Sequence, residues 1–163
     1  ALLSPASASL CLQVALQALH HSQSPACSRL CQALIGCLLP EGDEGALVRG
    51  LEDPELSRLL EAAMAVAGAN RLRDLYRRHL KGRLRGVANH RVANHGLQRL
   101  LDHAPCDVVD EAMAELGPTL SETLSRGHPG VLTALIGSCR RYPALQQEAL
   151  RLLLQVSHAP PPS

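Results

Sequence analysis

Phe and Trp are absent from these 163 residues, and only Tyr76 and Tyr142 supply benzenoid rings. Nothing approaches the roughly 18 uninterrupted apolar residues expected of a membrane span. No run shows the alternating, β-branched pattern of a strand. A GxSxG nucleophile turn, a phosphate-cradling glycine loop and an HExxH metal site are all missing, so catalysis has no support. The six cysteines, at 11, 27, 31, 37, 106 and 139, form no CxxC pair. Together with the want of a signal peptide, this predicts reduced, intracellular thiols. Cys27 and Cys31 stand four apart and His90 and His95 five apart, but no second ligand pair matches them, so neither metal nor cofactor is expected.

What is present is aliphatic. Hydrophobic residues make up 46% of the chain, dominated by Leu and Ala. Both are strong helix formers, and the share suffices for a continuous core, so the predicted class is all-α. The net charge of +1 conceals an uneven layout. Residues 1–70 carry three Arg and seven acids, residues 71–103 nine Lys or Arg and two acids, and residues 104–163 four Arg and six acids. A basic island thus lies between acidic flanks.

Helical periodicity predicts helices near 9–20, 25–38, 45–51, 54–67, 70–80, 90–103, 107–116, 119–126, 129–141 and 143–156. Ser24-Pro25 and Asp53-Pro54 each offer a capping side chain followed by Pro at the first helical position. Gly36, Gly68, Gly117 and Gly127 fall at or near expected helix ends. His20, His21 and His103 read as helix-end residues, where a cation meets the negative end of the dipole. The chain starts at Ala1 and ends Ala159-Pro160-Pro161-Pro162-Ser163, which suggests a piece of a longer protein.

Four windows align with one another: Cys27 to Gln32, Leu56 to Glu61, Ala93 to Gln98 and Val131 to Ile136. From the second residue of each, the spacings are 29, 37 and 38. The last two fall within the period of helical solenoids. Three windows carry a polar trio: Ser28, Arg29 and Gln32; Ser57, Arg58 and Glu61; Asn94, His95 and Gln98. The outer members are four apart and so share a helix face, with a planar side chain beside them. Two polar groups can grip the edge of a nucleic-acid base while a guanidinium or imidazole stacks on its ring.

These trios resemble the base-reading helices of the Pumilio (PUF) repeat family, whose repeats each present two edge-reading residues and one stacking residue. The best-matched unit runs from Leu80 to Leu116. The following unit carries Leu132, Thr133 and Ile136 at the reading positions and should read no base edge. The segment Arg73 to Leu84, followed by Val92-Ala93-Asn94-His95, is similar to the divergent nucleolar branch of the family, which acts in small-subunit ribosome biogenesis. The resemblance implies a right-handed α-solenoid of three-helix repeats, a partial array with approximate units 8–40, 41–79, 80–116 and 117–158. It implies single-stranded RNA, precursor ribosomal RNA in particular, along the concave face, a nuclear and nucleolar location, and pre-ribosomal proteins as further partners. Neither a membrane nor a small-molecule substrate is expected.

Within that frame Ser28, Arg29, Gln32, Ser57, Arg58, Glu61, Asn94, His95 and Gln98 are the expected base readers. Arg77, Arg78, Lys81, Arg83, Arg85 and Arg91, in and beside the basic island, are the expected phosphate contacts. Combined with the antiparallel reading of the family, the trios imply a preference for 5′-UGA-3′ across Asn94, Ser57 and Ser28. Two other readings stay open: a HEAT or armadillo-like protein-interaction scaffold, and a cytoplasmic Pumilio-type mRNA regulator. The second is disfavoured by the scarcity of aromatic stackers.

Overall fold

The computed structural model describes residues 4–157, and within them there is no strand. Ala1, the Ala159 to Ser163 tail and residue 158 of the last expected unit lie outside the described residues. Among the described residues eleven α-helices occur: α1 (Pro5–His21), α2 (Ala26–Leu38), α3 (Ala46–Glu52), α4 (Pro54–Val66), α5 (Ala69–Leu75), α6 (Leu84–Asn89), α7 (Ala93–His103), α8 (Cys106–Leu116), α9 (Leu120–Ser125), α10 (Pro129–Ser138) and α11 (Gln146–Ser157).

Local chemistry sets many of these boundaries. Asp53 caps α4, its Oδ1 accepting from the Glu55 and Leu56 N–H groups at 2.9 and 3.0 Å, with Pro54 at the first helical position. Ser4 caps α1 in the same way through Ser7. Gly68 and Gly127 adopt φ of +86° and +82° at helix junctions, a region that favours glycine. Gly36 lies in the last turn of α2. The helix expected over 70–80 widens after Leu75 into a single π turn, Tyr76–Leu80, closed by the Lys81 N–H donating to the Tyr76 carbonyl at 2.8 Å. The helix expected over 90–103 begins only at Ala93 and is preceded by the separate helix α6.

Packing follows a repeating rule. Helices α1, α4, α7 and α10 stack side by side in chain order. The short helices α3, α6 and α9 lean on α4, α7 and α10 respectively, while α2, α5 and α8 each pack against the stacked helix of the next unit. One buried core runs from Leu39 to Leu152, and a smaller one joins Leu16 and Cys31 to Leu59 and Ala63. Small side chains allow close approach: a Cβ on Gly96 of α7 would come 2.5 Å from Leu51 Cδ2 of α3. Buried Cys27, Cys31 and Cys139 act as small hydrophobes, and burial pushes the Cys31 and Cys139 thiols up.

Candidate nucleic-acid interface

The stacked row α1, α4, α7 and α10 is built on a common register. Leu16, Met64, Leu101 and Cys139 occupy one equivalent position and are all buried. Seven residues before them stand Ser9, Ser57, Asn94 and Leu132. In α4, Ser57 is buried, Arg58 exposed and Glu61 half-buried; in α7, Asn94, His95 and Gln98 repeat that pattern. These two trios are therefore brought onto one face. In α10 the positions hold Leu132, Thr133 and Ile136, and Thr133 spends its hydroxyl on the Pro129 carbonyl at 3.1 Å. No polar edge is presented there.

The trio expected at Ser28, Arg29 and Gln32 does not join the row. It lies exposed on α2, which occupies the place of α5 and α8 in later units. The equivalent positions belong to α1, where Ser9 is buried, Leu10 exposed and Gln13 half-buried. Gln13 Nε2 donates to Ser9 Oγ at 3.1 Å, just as Gln98 Nε2 donates to Asn94 Oδ1 at 3.0 Å. Ser9 and Gln13 were legible as a polar pair four apart, with an apolar Leu seven residues after the first. The signal is weak, because Leu10 supplies no planar group and the interval to Ser57 stretches to 48.

Hydrogen bonds decide which way the α7 amides point. Asn94 Nδ2 donates to the His90 carbonyl at 2.8 Å and the Arg91 carbonyl at 3.0 Å. An amide oxygen cannot face two carbonyl oxygens, so Oδ1 turns toward Gln98 as an acceptor. Gln98 then keeps its Oε1 and one N–H free. Its side chain lies over Gly130 of α10, where a Cβ would come within 2.5 Å of Nε2. In α4 the Ser57 hydroxyl donates to the Pro54 carbonyl at 3.2 Å, leaving its lone pairs and the Glu61 carboxylate as acceptors.

The basic island is elsewhere. Arg73 donates to both Asp107 oxygens, at 2.7 and 3.1 Å, and Arg77 reaches the same carboxylate at 3.1 Å. Lys81 pairs with Glu111 at 3.6 Å, Arg78 with Asp74 at 3.0 Å, Arg83 with Glu44 at 3.8 Å and Arg85 with Glu122 at 2.9 Å. The Arg73 guanidinium holds Asp107 below the ordinary carboxylate range, and Arg85 does the same for Glu122. Five of the six expected phosphate contacts, Arg77, Arg78, Lys81, Arg83 and Arg85, thus have carboxylate partners and stand outside the stacked row. Arg91, just ahead of α7, is exposed and has no ion pair among the described residues. Arg58 and Arg99, the latter paired with Asp102 at 3.9 Å, line a groove of about 300 Å³ with Gln13, Gln17 and Glu61, which joins α1, α4 and α7.

Among the described residues no group of three His, Cys, Asp or Glu could hold a metal, and no helix is long and apolar enough to cross a membrane. A row of stacked helices offering amide, hydroxyl and carboxylate edges between exposed planar side chains can recognise flat, hydrogen-bonding ligands.

The profile of the NOP9-like PUF repeat domain matches residues 1–161. Nucleolar protein 9 of Homo sapiens is 44% identical over 159 residues, covering 95% of this chain and 25% of the relative. Nucleolar protein 9 of Mus musculus is 42% identical over 160 residues, with 95% and 25% covered. The chain therefore spans about a quarter of the length of these curated relatives. Among solved structures, that of APUM23 with GGAAUUGACGG superposes with a TM-score of 0.79 at 22% identity, covering 92% of this chain and 29% of that one. APUM23 with GGAGUUGACGG gives 0.78 at 22% identity, again 92% and 29%. The fold is the all-α solenoid of PUF repeats, and the chain belongs to the NOP9-like PUF repeat family, which is not a known enzyme class.

Proposed function

We propose that the chain binds single-stranded RNA along the α1, α4, α7 and α10 row by reading bases, without chemistry, as part of a nucleolar protein that engages precursor ribosomal RNA in small-subunit ribosome biogenesis. One observation carries the reading. The same glutamine-to-partner bond recurs at equivalent positions of two units, Gln13 to Ser9 and Gln98 to Asn94, and leaves each Gln with one acceptor and one donor. That pair matches a base edge. The nucleolar relatives support the location, and no observation favours a HEAT-type scaffold or a cytoplasmic regulator.

At α7, Gln98 alone meets uracil, accepting from N3–H and donating to a flanking carbonyl, because Asn94 has no free N–H. At α4, Glu61 accepts from the guanine N1–H and amino group, with the Ser57 lone pairs on the same edge. Ser9 and Gln13 replace Ser28 and Gln32 at the adenine position. The preference remains 5′-UGA-3′, a triplet also present in the GGAAUUGACGG bound by APUM23. Stacking falls to His95 and Arg58, which contribute on the order of 1–3 kcal/mol per base. Phosphate contact moves to Arg91, which is exposed and has no ion pair among the described residues.

The test is a titration of short single-stranded RNAs at two salt concentrations, with the double substitution Ser57→Asn and Glu61→Gln. The preference at the middle base should move from G toward U. A preference that stays on G, or no measurable RNA affinity, would refute base reading by this row.

A further inference from the structure

We infer that His90 is a positioning residue for base recognition by α7, locked in its working tautomer by Glu52 of the preceding unit. The inference rests on the base-reading role proposed for the row. Two backbone N–H groups, of Val92 and Ala93, donate to His90 Nδ1, each at 3.1 Å. A ring nitrogen that accepts carries no proton, so the imidazole N–H is on Nε2. That nitrogen faces Glu52 Oε2 at 3.2 Å and donates to it. Glu52 is the last residue of α3, so the start of α7 is secured from the neighbouring unit.

The same residue also sets the reading edge. Its carbonyl takes one Asn94 N–H, the Arg91 carbonyl takes the other, and Asn94 Oδ1 consequently accepts from Gln98. The ring pins the first turn of α7, and the His90 and Arg91 carbonyls on that turn fix the Asn94 amide and, through it, Gln98. A ring protonated at Nδ1 loses both N–H groups, so the turn that carries the two carbonyls shifts and moves Gln98 with it.

The link to Glu52 separates this from generic capping. The position four residues before Ser9, Ser57, Asn94 and Leu132 holds Pro5 at α1, Asp53 at α4, His90 at α7 and His128 at α10. Asp53 and His90 cap by side chain, and of the two only His90 is also paired with the preceding unit. His128 makes no side-chain cap bond and precedes Leu132, Thr133 and Ile136.

The experiment selects the full chain against randomised single-stranded RNA 10-mers, with Gln98→Ala and Glu61→Ala marking which base each helix reads. His90→Phe should erase the preference at the Gln98 base, a loss of roughly tenfold between best and next base, and leave the Glu61 base within about twofold. His90→Asn, which keeps an acceptor for the two N–H groups, should restore it. Glu52→Gln should keep the preference and Glu52→Leu should lose it. Imidazole nitrogen shifts of His90 should report the Nε2–H tautomer, mixed with Nδ1–H in Glu52→Leu. Equal losses at both bases, an unchanged preference in His90→Phe and Glu52→Leu, or an Nδ1–H tautomer in the wild type would overturn the inference alone. If Gln98→Ala and Glu61→Ala mark no base at all, the base-reading proposal falls and takes this inference with it.

Discussion

Gly130 offers a substitution whose effects on stability and on recognition should diverge. It is the second residue of α10, after Pro129, in ordinary helical backbone. An added Cβ would come 2.5 Å from Gln98 Nε2 and 2.6 Å from both Cδ and Oε1, distances that atoms do not share. The obstructed group is the end of a flexible side chain, so the fold yields by turning Gln98 aside. Alanine in a helix gains up to about 1 kcal/mol over glycine, less near the N-terminus. The lost Gln98 to Asn94 hydrogen bond costs roughly 0.5–1.5 kcal/mol. Gly130→Ala should therefore leave stability within about 1 kcal/mol of the wild type. A displaced amide, however, forfeits a two-bond base contact that is worth about 1–3 kcal/mol of discrimination, roughly fivefold or more. Fluorescence anisotropy with RNAs differing only at the base opposite α7 measures that loss, and thermal unfolding of the same samples measures stability. Gly137→Ala is the control, since its Cβ would meet nothing within 4 Å on the same helix. Unaltered base preference in Gly130→Ala, or an equal loss in Gly137→Ala, would refute the placement of Gln98 at the reading edge.

Gly96→Ala should behave oppositely to Gly137→Ala. Its Cβ would meet Leu51 at 2.5, 3.3 and 3.4 Å in the buried contact between α7 and α3, so chemical denaturation should show a loss of about 1–3 kcal/mol. Stability should fall in acid. Asp107 and Glu122 have folded-state pKa values depressed by Arg73 and Arg85, so their contribution is present above the unfolded values and lost as pH drops through the folded ones. The melting temperature should hold near neutrality and decline below about pH 4, and Asp107→Asn should flatten part of that decline. In RNA titrations, replacing Arg91 by Gln should flatten the logarithmic salt dependence by about 0.7, one lost phosphate contact on a single strand. Reversing Arg77, Arg78 and Lys81 to Glu should instead lower the melting temperature and leave the slope in place.

What the sequence made legible follows from which interactions are local. Helix α4 announces itself through Asp53-Pro54, and the Ser57 and Asn94 trios align because intervals of 37 and 38 carry one full unit each. The first unit breaks that arithmetic. Helix α1 is 17 residues long and a connection over 39–45 follows α2, so Ser9, at the register of Ser57 in the stacked row, lies 48 residues upstream while the likeness on α2 lies at 29. The basic island finds its acidic partners off-segment for a reason built into solenoids. Arg73 meets Asp107 across 34 residues and Arg85 meets Glu122 across 37, one repeat away in each case. Charges counted by contiguous segment separate such partners, because stacking neutralises charge at the period of the repeat. His90 shows the same lesson within a single residue. By periodicity it belongs to the helix it precedes, yet its ring is held by Glu52, 38 residues earlier, so its role emerges only when consecutive units are stacked. In a repeat fold, a residue's function is read most reliably one period away, where its partner stands, and not among its chain neighbours.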